Sequence, residues 1–157
     1  MTHYAALKAL HLVAVVAFLG NIVTGLFWKA HGDRTGEPRI IAHTLDGIIR
    51  SDRWFTLPGV LGIVAFGVGA AMSGGIPILG TSWIWQSIVL FTISGLAFGF
   101  QVAPLQRRMR ALAATAAAAD FDLAQYRRLS RRWEFWGAVA VVTPLAALVL
   151  MVAKPGA

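Results

Sequence analysis

The chain begins its first apolar run with Lys8-Ala-Leu-His11-Leu-Val-Ala-Val-Val-Ala-Phe-Leu-Gly20. The run continues to about Trp28, which is long enough to cross the hydrocarbon core of a bilayer as a helix. His11 stands where such a helix would ordinarily carry an apolar side chain. Because an ionisable group is costly inside a membrane, His11 is the first candidate for a functional residue.

The composition is that of a membrane protein. Of the 157 residues, 57% are hydrophobic and only 13% are charged, whereas about a quarter of the residues are charged in soluble domains. Four apolar runs of spanning length cover about residues 4–28, 54–72, 83–103 and 133–152. A helix satisfies its own backbone in lipid. We therefore predict an all-α fold, an integral membrane four-helix bundle formed by residues 1–157 as a single transmembrane domain.

The charges predict the orientation of the bundle. All of the arginines lie in the loop between spans one and two or in the loop between spans three and four, whereas residues 73–82 carry no lysine or arginine. Cytoplasmic loops of membrane proteins are enriched in these residues. We expect both basic loops in the cytoplasm and both termini outside, in the periplasm of a bacterial inner membrane. The cytoplasmic loops then account for the net charge of +7 without a nucleic-acid partner. The expected environment is the lipid bilayer.

Both basic loops are predicted to be helical. Pro38 suits a first helical turn, and the apolar residues after it recur at helical spacing. This pattern predicts either an interfacial amphipathic helix or a cytoplasmic extension of span two. Alanine is the best helix former, so the segment Ala111 to Ala119 predicts a helical hairpin that turns near Asp120 and Asp122.

Other polar residues near the spans have structural interpretations. Asp52 is expected to cap the start of span two. Asn21 and Thr24 are expected to bond to a neighbouring helix. Glu134 is expected to pair with arginines such as Arg131 at the cytoplasmic end of span four. The glycines of span two favour close helix packing, and Pro58 and Pro144 predict kinks.

The topology sorts the polar residues by depth. Seven residues are expected in an outer layer: Lys8, His11, Met72, Gln86, Ser87, Met151 and Lys154. Three hypotheses remain open for His11. It bonds to Gln86 or to a backbone carbonyl, it is an axial ligand of haem, or it transfers protons, since histidine titrates near neutral pH. A second haem ligand would be Met72, Met151, His3, a residue of a partner chain, or none.

The motifs Lys8-Ala-Leu-His11, Gly20-Asn21 to Trp28-Lys29, and Ser51-Asp52-Arg53-Trp54-Phe55-Thr56-Leu57-Pro58-Gly59 resemble a bacterial family of predicted integral membrane proteins of unknown function, domain of unknown function 2269. The resemblance covers nearly the whole chain. It implies a polytopic membrane protein and no particular activity.

A more distant resemblance implies a cofactor. The chain has Lys8-Ala9-Leu10-His11, then Arg131-Arg132-Trp133-Glu134, then Lys154-Pro155, and these stretches resemble the HemJ-type protoporphyrinogen oxidases. The CopD-like membrane proteins are a related group. The resemblance implies haem b, with His11 as haem-ligand or active-site histidine. That family has a Trp-x-His-x-Lys pattern where this chain reads Trp83-Ile84-Trp85-Gln86-Ser87, so Ser87 replaces the lysine and argues against porphyrinogen oxidation.

We therefore expect a haem-b-binding membrane protein of redox or porphyrin-related type, with a porphyrin or a redox protein as partner. The candidate cofactor-binding residues are His11, Met72, Met151, Gln86 and Lys8, and the candidate ligand of the haem iron is His11. No catalytic residue is assigned. Two other functions remain open: a non-catalytic membrane scaffold or assembly subunit, and a small-molecule transporter that would need a homo-oligomer to enclose a path.

Overall fold

Six α-helices form the protein in a computed structural model that describes residues 2–115 and 121–156. They are α1 (His3–Arg34), α2 (Pro38–Ser51), α3 (Leu57–Ser73), α4 (Ser82–Ala97), α5 (Ala103–Thr115) and α6 (Leu123–Ala153). A π-helical turn at Asp52–Thr56 joins α2 to α3, and a second one at Phe98–Val102 joins α4 to α5. Four continuous helices result, and each is long and apolar enough to cross a membrane. The predicted all-helical, four-span fold is confirmed.

The helices extend well beyond the apolar runs. The helix that contains span one ends at Arg34, and α2 is the extension of span two, continuous with α3. Asp122 caps α6, because its carboxylate accepts a hydrogen bond of 2.8 Å from the backbone N–H of Gln125. The turn predicted at Asp120, and the end of the alanine-rich segment, lie outside the described residues.

The four long helices pack as two pairs. Helix α1 lies along α3, and α4 lies along α6. A close approach at Gly59 allows the first pairing, because a Cβ atom there would lie 3.0 Å from the Cβ of Phe18. In the described part of the chain, no close backbone contact joins α3 to α4 or to α6. The two pairs are joined instead where α2 packs on α5 and α6 meets both α1 and α5.

The bundle therefore has two different ends. The terminal end holds the start of α1, the turn between α3 and α4, and the end of α6. The basic end holds the end of α1, all of α2 and α5, and the start of α6. The most deeply buried apolar side chains are at the basic end: Ile41, Leu45, Leu105, Met109, Ala113, Tyr126 and Trp133. The middle of the bundle exposes large apolar side chains such as Val16, Leu61 and Val142, which suit contact with lipid.

Candidate functional site

A large cavity lies at the terminal end, between the two helix pairs. Its volume is about 770 Å³, and side chains of α1, α3, α4 and α6 line it. Most of these side chains are aliphatic or aromatic, such as Phe18, Ile84 and Leu148. Cofactor and ligand sites are typically mostly apolar cavities of about 300–1,000 Å³ with a few convergent polar groups. The size and lining of this cavity match that description.

His11 is the histidine in this cavity, and the protein holds its ring in a defined orientation. Its Nδ1 lies 2.9 Å from the backbone carbonyl oxygen of Ile63 on α3. A carbonyl only accepts, so Nδ1 must carry the proton and donate. Gly67 gives the ring room, since a Cβ atom at that position would lie 2.9 Å from Nδ1 and 3.0 Å from Cε1. In the neutral ring, Nε2 is thereby the nitrogen that keeps a lone pair for a ligand.

Two lysines accompany His11 at the terminal end of the cavity. Lys8 Nζ lies 5.9 Å from the ring centre of Tyr4, and Lys154 Nζ lies 5.5 Å from that of Trp83. All four side chains line the cavity. Lys154 has a left-handed backbone conformation with φ 44° and ends α6. Both ammonium groups are thus held by cation–π contacts on residues of the cavity wall.

The structure brings only some of the candidate cofactor-binding residues together. Met151 lines the cavity with His11 and Lys8, but Met72 and Gln86 are not among its lining residues. Met72 is 74% exposed on the outside of α3. The assignment of these two residues as cofactor-binding stays a prediction, and the geometry gives it no support.

Ser87, at the position of the related family's lysine, also lines the cavity. It is buried, and its Oγ is 2.7 Å from the carbonyl oxygen of Trp83 and 3.2 Å from that of Ala147 on α6. One hydroxyl proton is shared between these two acceptors. Ser87 therefore joins α4 to α6 and has no free proton for a substrate.

At the basic end, the polar groups bind one another. Lys29 is only 2% exposed and forms ion pairs with Asp33 and, at 3.7 Å, with Glu134. Its Nζ also donates to Ser130 Oγ at 2.6 Å and lies 5.0 Å from the ring centre of Trp133. This Lys29 cluster joins α1 to α6.

A carboxylate without a cation lies near the Lys29 cluster. Asp52 is 8% exposed and lies in the first π-helical turn. Its Oδ1 accepts from Asn21 at 3.1 Å and from Thr56 at 2.8 Å, and its Oδ2 accepts from Gln106 at 3.1 Å. Every one of these donors is a neutral group. None of the salt bridges in the described residues includes Asp52.

Three structural expectations need correction at this end. Asp52 does not cap span two, because the helix already begins at Pro38 and Asp52 lies in its interior. Glu134 pairs with Lys29 instead of arginines such as Arg131. Thr24 bonds to the carbonyl of Gly20 in its own helix. The expectation for Asn21 is correct, since it bonds to Asp52 and Thr56 across helices.

Sequence reasoning missed the Lys29 cluster. Lys29 follows the apolar run directly, where a lysine is typical of a cytoplasmic loop charge that helps set the orientation. The available signal was Asp33 four residues later, a spacing that allows an ion pair on one helix face. The contact with Ser130, 101 positions away, carries no such local signal.

A metal centre made of several side chains is absent from the described residues, which contain no group of three or more histidine, aspartate or glutamate side chains placed to hold an ion. His3, His31 and His43 are exposed. The ring of His31 stacks on Phe27 with centres 6.3 Å apart. Any metal at His11 would therefore have to bring most of its ligands with it, as haem iron does.

Comparison with known proteins matches the chain to a family model. The model described as "Predicted integral membrane protein (DUF2269)" matches residues 5–155. No curated protein and no solved structure matches the chain.

Proposed function

Since the chain belongs to the family of predicted integral membrane proteins described as DUF2269, we propose that it is a haem-b-binding member of redox type. The cofactor would lie in the terminal-end cavity, with His11 as its axial ligand. Homology indicates only an integral membrane protein, so the proposal depends on the chemistry of the cavity.

One observation carries the proposal: His11 is oriented by a backbone carbonyl and keeps Nε2 for a ligand. The Nδ1 hydrogen bond to Ile63 is 2.9 Å. Histidines that ligate metals usually donate their second ring N–H to a carbonyl or carboxylate in this way, which fixes the tautomer and strengthens the ligand. A histidine that only bonds two helices would need no large cavity beside it.

The other residues of the cavity fit a tetrapyrrole. The apolar walls can bury a macrocycle, and the ammonium groups of Lys8 and Lys154 can pair with carboxylate substituents. Met151 is the predicted second ligand that lines the cavity. Haem bound here would supply electron exchange at its iron, while this chain's residues bind it, orient it and exclude water. The bonds made by Ser87 favour electron transfer over porphyrinogen oxidation.

The visible spectrum tests the proposal. The protein is purified in mild detergent from haem-replete cells and measured oxidised and reduced. We expect a haem Soret band in the wild-type protein, its loss in His11→Ala, and its retention in the matched variants His31→Ala and His43→Ala, whose imidazoles are exposed. A colourless protein that is folded by circular dichroism, or a band that survives His11→Ala, contradicts the proposal. A folded, colourless protein would favour the scaffold function.

We also propose that both termini are periplasmic in the bacterial inner membrane. The support is the arginines exposed on α5 and α6 at the basic end: Arg107, Arg108, Arg110, Arg127, Arg128, Arg131 and Arg132. The chain has no cysteine, so single cysteines report position cleanly. A membrane-impermeant thiol reagent should label Leu79→Cys in intact spheroplasts, and Glu37→Cys only after lysis. The reverse result would contradict this orientation.

A further inference from the structure

A second, small cavity lies at the basic end, beside Asp52. Its volume is about 30 Å³, and its polar lining residues are Asp52, Gln106 and Trp133. One water molecule needs a probe-occupied volume of about 10–15 Å³. The cavity is therefore large enough for a water and too small for an organic ligand. It is separate from the terminal-end cavity and shares none of its lining residues.

Trp133 lines this cavity and has an unpaired hydrogen-bond donor. The side chain is 4% exposed, and its Nε1 has no hydrogen-bond partner in the residues that the structure describes. An indole N–H can only donate, and a buried donor without an acceptor is destabilising. Tryptophan is normally buried with a partner for this group. An acceptor inside the cavity would remove that cost.

Asp52 requires a hydrogen-bond acceptor when its carboxyl group is protonated. A buried carboxylate that lacks a cation is costly, and the neutral form avoids the cost. The cations on the surrounding helices do not pair with Asp52. Lys29 is paired with Asp33 and Glu134, and Arg50 and Arg110 are paired with Asp46. Arg53 and Arg107 are exposed. Once protonated, Asp52 has one O–H to donate, and its three neighbours Asn21, Thr56 and Gln106 are already donating to it.

From this geometry we infer that Asp52 and Trp133 form a proton-binding site inside the bundle, completed by one water molecule in the small cavity. The water oxygen has two lone pairs, so it accepts from Trp133 Nε1–H and from the Asp52 carboxyl. When Asp52 loses its proton, the water turns and donates a hydrogen to the carboxylate. The site thus takes up and releases a proton while both buried groups remain hydrogen-bonded.

The two π-helical turns shape this site. Asp52 begins the first turn, and Phe98 and Val102 of the second turn line the same cavity. Single π-turns inside α-helices are rare, and they are frequent at functional sites. Here the first turn contains both Asp52 and Thr56, four residues apart, so that the hydroxyl of one bonds the carboxyl of the other. The inference does not depend on what occupies the terminal-end cavity.

Infrared spectroscopy of the whole protein in detergent, recorded over a series of pH values, tests the inference. We expect a carbonyl band of a protonated carboxyl group that moves in D₂O. The band should vanish in Asp52→Asn and persist in Glu134→Gln, the matched control in the neighbouring Lys29 cluster. Raising the pH should remove the band, because a carboxyl group loses its proton as pH rises.

Two further measurements keep the test decisive. Trp133→Phe removes the indole N–H, and the Asp52 band should then shift in frequency. If Asp52→Asn does not fold, aspartate labelled with ¹³C at the side-chain carboxyl should shift the band in the wild-type protein. Absence of the band, its survival in folded Asp52→Asn, or no shift with the label or with Trp133→Phe would overturn the inference.

Discussion

His11 at the terminal end has one protein hydrogen bond in the described structure and faces a cavity of about 770 Å³. Lys29 at the basic end is enclosed, and its ammonium group contacts two carboxylates and a hydroxyl. Both residues lie on α1, about five turns apart. The ring of His11 keeps a nitrogen available to a ligand, whereas the ammonium group of Lys29 makes contacts that join helices of the same chain.

This difference follows from how the helix pairs meet. At the basic end, α2 and α5 fill the space between the pairs, and polar side chains such as Ser130 and Gln106 bond across it. At the terminal end, a short turn joins α3 to α4, and no further helix of residues 2–115 or 121–156 fills the gap. A polar cluster that is fully satisfied stabilises a fold. A polar group left half-satisfied beside a cavity is where a ligand can bind.

The largest effect is expected at the basic end, from removing the ammonium group of Lys29. Lys29→Met keeps most of the aliphatic stem but leaves Asp33 and Glu134 without the cation that pairs with them. Removing one member of a buried ion pair costs about 3–5 kcal/mol, and we expect the lower value because Glu134 is largely exposed. Thermal unfolding in detergent measures the loss.

Lys8→Met at the exposed, terminal end is the matched control for this variant. Surface substitutions usually change stability by less than about 0.5 kcal/mol. Equal unfolding temperatures for the two lysine variants would show that the two ends do not differ in the way described.

A smaller effect is expected at the terminal end from Gly67→Ala. The new methyl group would lie 2.9 Å from His11 Nδ1, so the ring must move away from the carbonyl of Ile63. Inserting a methyl group into a packed contact costs about 1–3 kcal/mol. We expect a lower unfolding temperature and, if the proposed cofactor is bound, a changed Soret band.

Gly95→Ala is the control, since a Cβ atom at Gly95 meets nothing within 4 Å. Alanine favours a helix over glycine by up to about 1 kcal/mol, so this variant should be as stable as the wild-type protein or more stable. If both glycine variants behave alike, the contact between His11 and α3 does not position the ring.

The sequence predicted the four spans because hydropathy reports directly on the lipid-facing surface. It was less accurate about where the helices end, since backbone hydrogen bonding continues past the apolar run. Helix α1 extends to Arg34, and this extension is what buries Lys29. The expectation that Asp52 caps a helix failed for the same reason, because the apolar run begins after Asp52 while the helix begins at Pro38.

The candidate site was predicted in part. Depth along each helix places Lys8, His11, Ser87, Met151 and Lys154 at one level, and all five line the same cavity in the structure. Depth does not specify which way a side chain faces around its helix. Met72 has the expected depth and points away from the cavity, because the rotation of α3 places Gly67 and Ala71, and not Met72, toward α1 and the cavity.

By itself, the sequence determined a four-span helical membrane protein with a histidine inside one span, because spanning length and hydrophobicity are local properties of the chain. Only the tertiary structure decided what each polar group does. The carbonyl that fixes His11 is 52 residues away, and the serine that binds Lys29 is 101 residues away. Such partners depend on the rotation and spacing of packed helices, and no local pattern of residues specifies those.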